Sequence, residues 1–201
     1  ANRLAPAVIP RRTGDELVER YRELVGPRQR SVWLTVSIGF ALMAGLGASA
    51  QWQNWVMFRS GSNFGVKDQL HGTDIGFYVF KLPLIEYVVS WLFASMIIVL
   101  LLVTMAHYLT GSIHLPGTGP AADIRVKAHL SILFAALALL KAGDDWLDRF
   151  RIARSGRGVV DGALYTDVNA KLPALVLLFM ISLLVAVVFL INIRRKGWGL
   201  P

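Results

Sequence analysis

The chain has 201 residues, of which 55% are hydrophobic, and a mean hydropathy of +0.52. Several apolar runs are long enough to cross a bilayer, which a soluble domain of this length would not normally carry. The chain has no cysteine, which excludes disulfides, thiolate metal sites and cysteine nucleophiles. The net charge of +8 favours basic loops that set topology and meet anionic membrane lipids over nucleic-acid binding.

The sequence predicts an all-α fold, a polytopic transmembrane helical bundle of about four spans. The predicted spans cover residues 32–55, 84–109, 126–148 and 172–193. Residues 1–31 form a basic, amphipathic juxtamembrane segment. Lys and Arg residues were summed over the segments expected on each side of the membrane. The segment 1–31, the loop between spans two and three and the residues after span four together hold more of them than the loops 56–83 and 149–171 together. This bias predicts cytoplasmic ends and two extracytoplasmic loops.

The first two spans show ordinary membrane-helix features. Span one carries small residues four apart, a spacing that lets helices approach closely, and Trp55 closes it at an interface. Residues 75–80 are apolar but too short to span, and are expected to be extended or re-entrant. Pro83 suits the first turn of span two.

Span three ends in a run of charged residues. At 100° per residue, Lys141, Asp144, Asp145 and Asp148 fall within about 100° of arc, with Lys141 one turn from Asp144 and Asp145. Arg149 and Arg151 are expected to reach Asp145 or Asp148, and Trp146 points away from this face. The candidate polar cluster is Lys141, Asp144, Asp145, Asp148 and Arg149.

Two interpretations of this cluster stay open. The helical rise from Arg125 places Lys141 about 24 Å along the span, near the far edge of the hydrocarbon core, with Asp148 beyond it. In the first interpretation, the cluster is the end of a helix whose charges neutralise one another and which contacts the outer loops. In the alternative, it lines a cavity and takes a proton or a cation.

The remaining polar residues predict no chemistry. His107 and His129 are expected to be packing residues, and Glu86 is too isolated for an acid–base pair. Nucleophile-elbow, phosphate-loop, dinucleotide and paired-histidine motifs do not occur. No catalytic, cofactor-binding or metal-binding residue is assigned, no cofactor is expected, and the sequence favours a protein that is not an enzyme.

Three separated segments resemble the bacterial membrane proteins grouped as uncharacterised protein family 0182. The family's patterns are close to D-x-GFY-x-F-x-LP, LLKA-x-x-x-WLDR and G-x-x-YTD-x-x-A-x-x-PA, matched here at Asp74–Pro83, Leu139–Arg149 and Gly162–Ala174. Asp144 falls in a variable position of the second pattern. The motif positions singled out are Asp74, Gly76, Phe77, Tyr78, Trp146, Tyr165, Thr166 and Asp167. Thr166 or Asp167 is also expected to cap a turn before span four.

The resemblance implies a larger protein, with about seven N-terminal spans followed by a long extracytoplasmic region, of which this chain is a segment. It implies no reaction. We expect a structural or assembly subunit of the bacterial plasma membrane that anchors an extracytoplasmic domain in the cell envelope and binds lipids and other membrane subunits. The alternative is a transporter or ion-coupled permease that uses the polar cluster.

Overall fold

The computed structural model describes residues 28–109, 124–154 and 162–194, apart from four side chains within them. These residues form five α-helices and no β-strand. The helices are α1 (Gln29–Ser49), α2 (Trp52–Ser60), α3 (Leu82–Leu109), α4 (Ile124–Ile152) and α5 (Leu172–Arg194). The predicted all-α class is confirmed. Most of segment 1–31 and the basic residues after Arg194 lie outside the described residues.

Four helical segments are long and apolar enough to cross a membrane. They are Arg30–Ser49, Phe77–Tyr108, Ile124–Ile152 and Asp167–Ile193. Each overlaps one of the predicted spans, so the number of spans agrees with the prediction. Spans two, three and four each extend beyond their predicted bounds by several residues.

Span one does not continue to Trp55 as predicted, because the helix breaks between α1 and α2. At the break, Gln51 N–H donates to Ala48 at 3.0 Å, and Gln51 leaves helical geometry at φ −95° and ψ 14°. The Ser49 hydroxyl donates to the Leu46 carbonyl at 2.8 Å, a local bond that competes with the helical ladder. Only the last four residues of the predicted span, 52–55, therefore belong to a separate short helix.

Spans two and four begin in the same unusual way, with a π-helical turn before a Lys-Leu-Pro sequence. The turns cover Phe77–Lys81 and Asp167–Lys171, and Pro83 and Pro173 lie two residues after the last residue of each turn. A proline inside a helix cannot donate to the carbonyl four residues back and clashes with it, and the widened turn relieves this conflict. Residues 75–80 are thus helical, neither extended nor re-entrant, and Pro83 lies inside the span.

The helices α3, α4 and α5 form the packed part of the bundle. The α4 helix packs against both α3 and α5, whereas α1 has no extensive contact with another described helix. At the end of the bundle where α4 finishes and α3 and α5 begin, Tyr78, Leu82 and Leu147 form a buried cluster against Phe150. We call this end the loop end. The residues before α3 fold over it and bring their side chains to the end of α4.

Candidate functional site

The buried centre of the polar cluster is Asp145, which is 1% exposed. Lys141 Nζ lies 2.7 Å from its Oδ1 atom, and the Ser182 hydroxyl of α5 donates to Oδ2 at 3.2 Å. Lys141 also lies 3.2 Å from Asp144 Oδ2. Both oxygens of the buried carboxylate therefore have partners, as a buried charge requires.

A second group of ion pairs continues from this centre toward the loop end. Arg151 contacts Asp148, approaches Asp144 Oδ1 at 3.6 Å, and places its Nε atom 3.2 Å from Glu86 Oε1 of α3. Arg154 donates to both oxygens of Glu86 at 2.9 and 3.1 Å. Charged side chains thus connect α3 to α4, and Asp145 extends the connection to α5. We call the whole arrangement the polar ladder.

The ladder extends from the loop end to the middle of α5. Ser182, the partner of Asp145, lies midway along the apolar run of α5. Asn192, near the end of α5, is level with Ser131, to whose hydroxyl it donates at 3.4 Å. The α5 helix continues beyond this contact to Arg194. Asp145 thus lies level with the middle of α5, and the depth of Lys141 in the apolar core stays a prediction.

Lys141 is held at this depth but is not enclosed. Its side chain is 42% exposed, and its ammonium is paired with Asp145 at 2.7 Å. Beside it runs an apolar groove of about 270 Å³ whose walls include Phe93, Phe134 and Val185. An open face with a lysine at its edge therefore lies level with the apolar middle of span four.

Arg149 is not part of the ladder, which corrects its assignment to the polar cluster. Within the described residues it forms no ion pair, and its guanidinium lies 3.4 Å above the Trp146 ring. Trp146 in turn packs on Phe179 of α5 with ring centroids 5.0 Å apart. The sequence left lipid or a neighbouring helix open as the surroundings of Trp146, and this contact shows a neighbouring helix. The carbonyl of Arg149 accepts a bond from the His71 ring at 2.9 Å, which ties the loop to α4.

The acidic residues of the ladder are close enough to hold a cation. Carboxylate oxygens of Asp144, Asp145 and Asp148 lie within 4.8 Å of one another. Lys141 and Arg151 already contact these three carboxylates. Ion pairing is thus the chemistry that this arrangement favours.

His107 and His129 meet at the opposite end of the bundle, although they are separate in the sequence. The His107 Nε2 and His129 Nδ1 atoms are 3.2 Å apart, and the rings meet edge to face. The pair joins α3 to α4, in line with the expected packing role.

The first family motif builds the loop before α3. Asp74 accepts bonds from the backbone N–H groups of Phe64, Gly65 and Gly76 at 3.0, 2.9 and 2.7 Å. The Phe64 bond is the largest of the effects that lower the pKa of Asp74 below its usual 3.8, and charge on Lys67 adds to it. The carboxylate therefore stays ionised and organises the loop.

The other residues of this motif connect the loop to the helices. A Cβ atom on Gly76 would lie 2.3 Å from the Ser62 carbonyl oxygen, so a side chain does not fit there. The rings of Phe77 and Tyr78 pack against Phe150 with centroids 5.3 and 6.1 Å apart. The motif thus fixes the loop on the end of α4.

The third motif forms the start of span four. Asp167 is buried, and its carboxylate accepts a bond from the Leu164 N–H at 3.2 Å, as the acidic member of a capping box does. Thr166 makes no side-chain capping bond, so the choice between the two predicted caps falls on Asp167. Tyr165 is 82% exposed.

Sequence reasoning missed three members of the ladder. Glu86 looked isolated, Ser182 lies in a continuous apolar run, and Arg154 was treated as part of a loop. For Glu86 a signal was present, because an acidic residue inside an apolar span needs a partner. Nothing along the chain marks Ser182, because hydroxyl residues are common in membrane helices.

The family description "Uncharacterised protein family (UPF0182)" matches residues 1–201. Similar proteins include UPF0182 proteins of Frankia casuarinae, 41% identical over 201 residues, and of Salinispora tropica, 42% identical over 193 residues. These alignments cover 100% and 95% of this chain but 20% and 19% of the relatives. A UPF0182 protein of Streptomyces coelicolor is 34% identical, with 21% of its length covered.

No solved structure matches the chain significantly. The chain spans about a fifth of the length of the relatives it matches. The match to the family covers every residue, and the three motifs carry the loop, the ladder and the start of span four. The chain therefore belongs to the uncharacterised protein family UPF0182, as a segment of a protein of that kind.

Proposed function

We propose that this chain is a structural and partner-binding module of a bacterial plasma-membrane protein. In this role both ends of the segment face the cytoplasm and the loop end faces outward. The bundle anchors an extracytoplasmic region and packs against further membrane helices, in an assembly of the cell envelope such as one that serves transport. The described residues carry no arrangement that favours catalysis over this role.

The half-exposed Lys141 is the observation that carries the proposal. It lies level with the middle of α5 and is fixed there by Asp145. A charged group at this level would face hydrocarbon, which is costly, unless protein covers it. The groove formed by α3, α4 and α5 beside it gives a covering helix a surface on which to pack. We infer that another transmembrane helix occupies this groove, from the remainder of the protein or from another subunit.

Photocrosslinking in cells tests this inference at two adjacent positions of α5. Val185 lines the groove, whereas Leu184, the next residue along the helix, is 64% exposed on a different face. A photoreactive amino acid at position 185 should crosslink to polypeptide, either within the same protein or to a partner. The same group at position 184 should label mainly lipid. Labelling of lipid alone at both positions would contradict the proposal.

A transporter or ion-coupled permease is the second candidate, and the length of the polar ladder favours it. Charged groups run from Arg154 to Asp145, the level of the middle of α5. Farther from the loop end, the rings of Phe134 and Phe189 stack with centroids 5.1 Å apart. This pair narrows the space between α4 and α5 through which an ion would pass. Proton or cation flux into proteoliposomes that Asp145→Asn abolishes without unfolding the protein would favour this candidate. Equal flux in the variant and the parent protein would exclude it.

A further inference from the structure

A cavity of about 470 Å³ lies at the loop end, away from the groove beside Lys141. One of its walls is apolar and consists of Ile75, Val79, Pro83 and Ala153. Two charged side chains, Asp68 and Arg154, line the same cavity. The cavity therefore combines an apolar surface with one negative and one positive group.

The cavity is built on the π-helical turn that begins span two. Tyr78 and Val79 belong to the turn, and Pro83 lies two residues after its last residue, Lys81. Such turns are uncommon and frequently mark functional sites, because the widened backbone changes where side chains point. Here the turn begins a segment, Phe77–Tyr108, that is long and apolar enough to cross a membrane. The ends of such segments are expected to lie where lipid headgroups meet the hydrocarbon core.

Both charged groups are held in place by the protein. Asp68 Oδ2 accepts bonds from the His71 N–H at 2.8 Å and the Tyr78 hydroxyl at 3.1 Å. Burial raises the pKa of Asp68, but these bonds and that of the Leu70 N–H outweigh it, so the pKa is lowered and the group stays ionised. Arg154 is anchored by Glu86, and its side chain is 40% exposed. Its guanidinium has five N–H donors, more than the Glu86 contact uses.

We propose that this cavity binds a zwitterionic phospholipid with a primary ammonium group, such as phosphatidylethanolamine. The phosphate contacts Arg154, the ammonium contacts Asp68, and an acyl chain lies along Ile75, Val79 and Pro83. An anionic headgroup would leave Asp68 facing a like charge, and a ligand without a chain would leave the apolar wall exposed. The assignment needs the helices to span a membrane but does not depend on the groove beside Lys141.

Native mass spectrometry of the purified, delipidated protein tests the site. Phosphatidylethanolamine, phosphatidylglycerol and soluble phosphoethanolamine are added separately. Phosphatidylethanolamine should be retained most strongly. Arg154→Ala should weaken its binding about tenfold, the effect expected for the loss of one charge-assisted hydrogen bond. Arg59→Ala, which removes an exposed arginine of α2 that does not line the cavity, should leave binding unchanged.

A second variant separates loss of the site from loss of the fold. Val79→Trp fills the cavity without changing its charges, and it should reduce lipid retention while the helix content and elution volume stay those of the parent protein. Equal or tighter binding of phosphatidylglycerol would overturn the proposal. So would an unchanged affinity in both cavity variants, or binding of phosphoethanolamine as tight as that of the lipid.

Discussion

Ser182 of α5 donates a hydrogen bond to Asp145 of α4 across 3.2 Å, while Lys141 contacts the other oxygen of that carboxylate. Two helices thus satisfy one buried charge, since Asp145 is 1% exposed. Removing one partner of such a pair is costly because the other charge is left in an apolar environment. Loss of either partner should therefore destabilise the packing of α4 against α5.

Asp145→Ala should lower the free energy of unfolding by about 3 kcal/mol, because it leaves the Lys141 ammonium without its closest partner. Asp144→Ala is the matched control. It removes a carboxylate that is one-quarter exposed and 3.2 Å from the same ammonium, and it should cost about 1 kcal/mol. Unfolding in mixed detergent micelles, followed by circular dichroism, measures both. Equal losses of unfolding free energy in the two variants would show that the greater burial of Asp145 does not determine the cost of removing its carboxylate.

Glu86 should be energetically coupled to Arg151 across the α3–α4 interface. A double-mutant cycle with Glu86→Gln and Arg151→Gln should give a coupling energy of about 1 kcal/mol, because their atoms lie 3.2 Å apart. The same cycle with Arg149→Gln should give a value near zero, since that guanidinium stacks on Trp146. A coupling to Arg149 as large as that to Arg151 would contradict the described pairing.

Gly76→Ala should disrupt the loop over the end of α4. The added Cβ atom would lie 2.3 Å from a backbone oxygen of Ser62, and the strain should cost about 2 kcal/mol or more. Gly143→Ala is the control, because a Cβ atom meets nothing within 4 Å there and alanine favours a helix by up to about 1 kcal/mol. Opposite shifts of the thermal midpoint are expected. A neutral Gly76→Ala variant would show that the loop adjusts without cost.

The contacts that sequence predicts well are those within one helix. Lys141, Asp144 and Asp145 lie one turn apart, so helical periodicity alone brings them together, as the structure confirms. Contacts between helices depend on rotation and register, which the spacing along one span does not contain. For this reason the partners Glu86 and Ser182 were missed.

Local backbone irregularities were also beyond prediction. The break at residues 50–51 involves neither proline nor a run of polar residues. The π-helical turns follow from Pro83 and Pro173, but proline near a helix start is more often a first-turn residue than the sign of a widened turn. Recurrence of Lys-Leu-Pro before both spans is the signal that could have indicated a shared geometry.

Acid should loosen the loop that Asp74 organises. Hydrogen bonds, the one from Phe64 foremost, lower the pKa of Asp74 below the usual 3.8, and the pKa of Asp68 is also lowered. Because the folded-state pKa lies below the unfolded value, the stabilisation is fully present above pH 3.8 and is lost as the pH falls through the lower folded value. Hydrogen exchange at Gly65 and Gly76, corrected for intrinsic rates, should therefore stay slow from about pH 7 to about pH 5 and accelerate in stronger acid.

Asp74→Asn should lose much of this protection at every pH, because an amide lacks the second acceptor oxygen. Acceleration between about pH 7 and pH 5 in the parent protein would contradict the role of Asp74, because its carboxylate is ionised throughout that range.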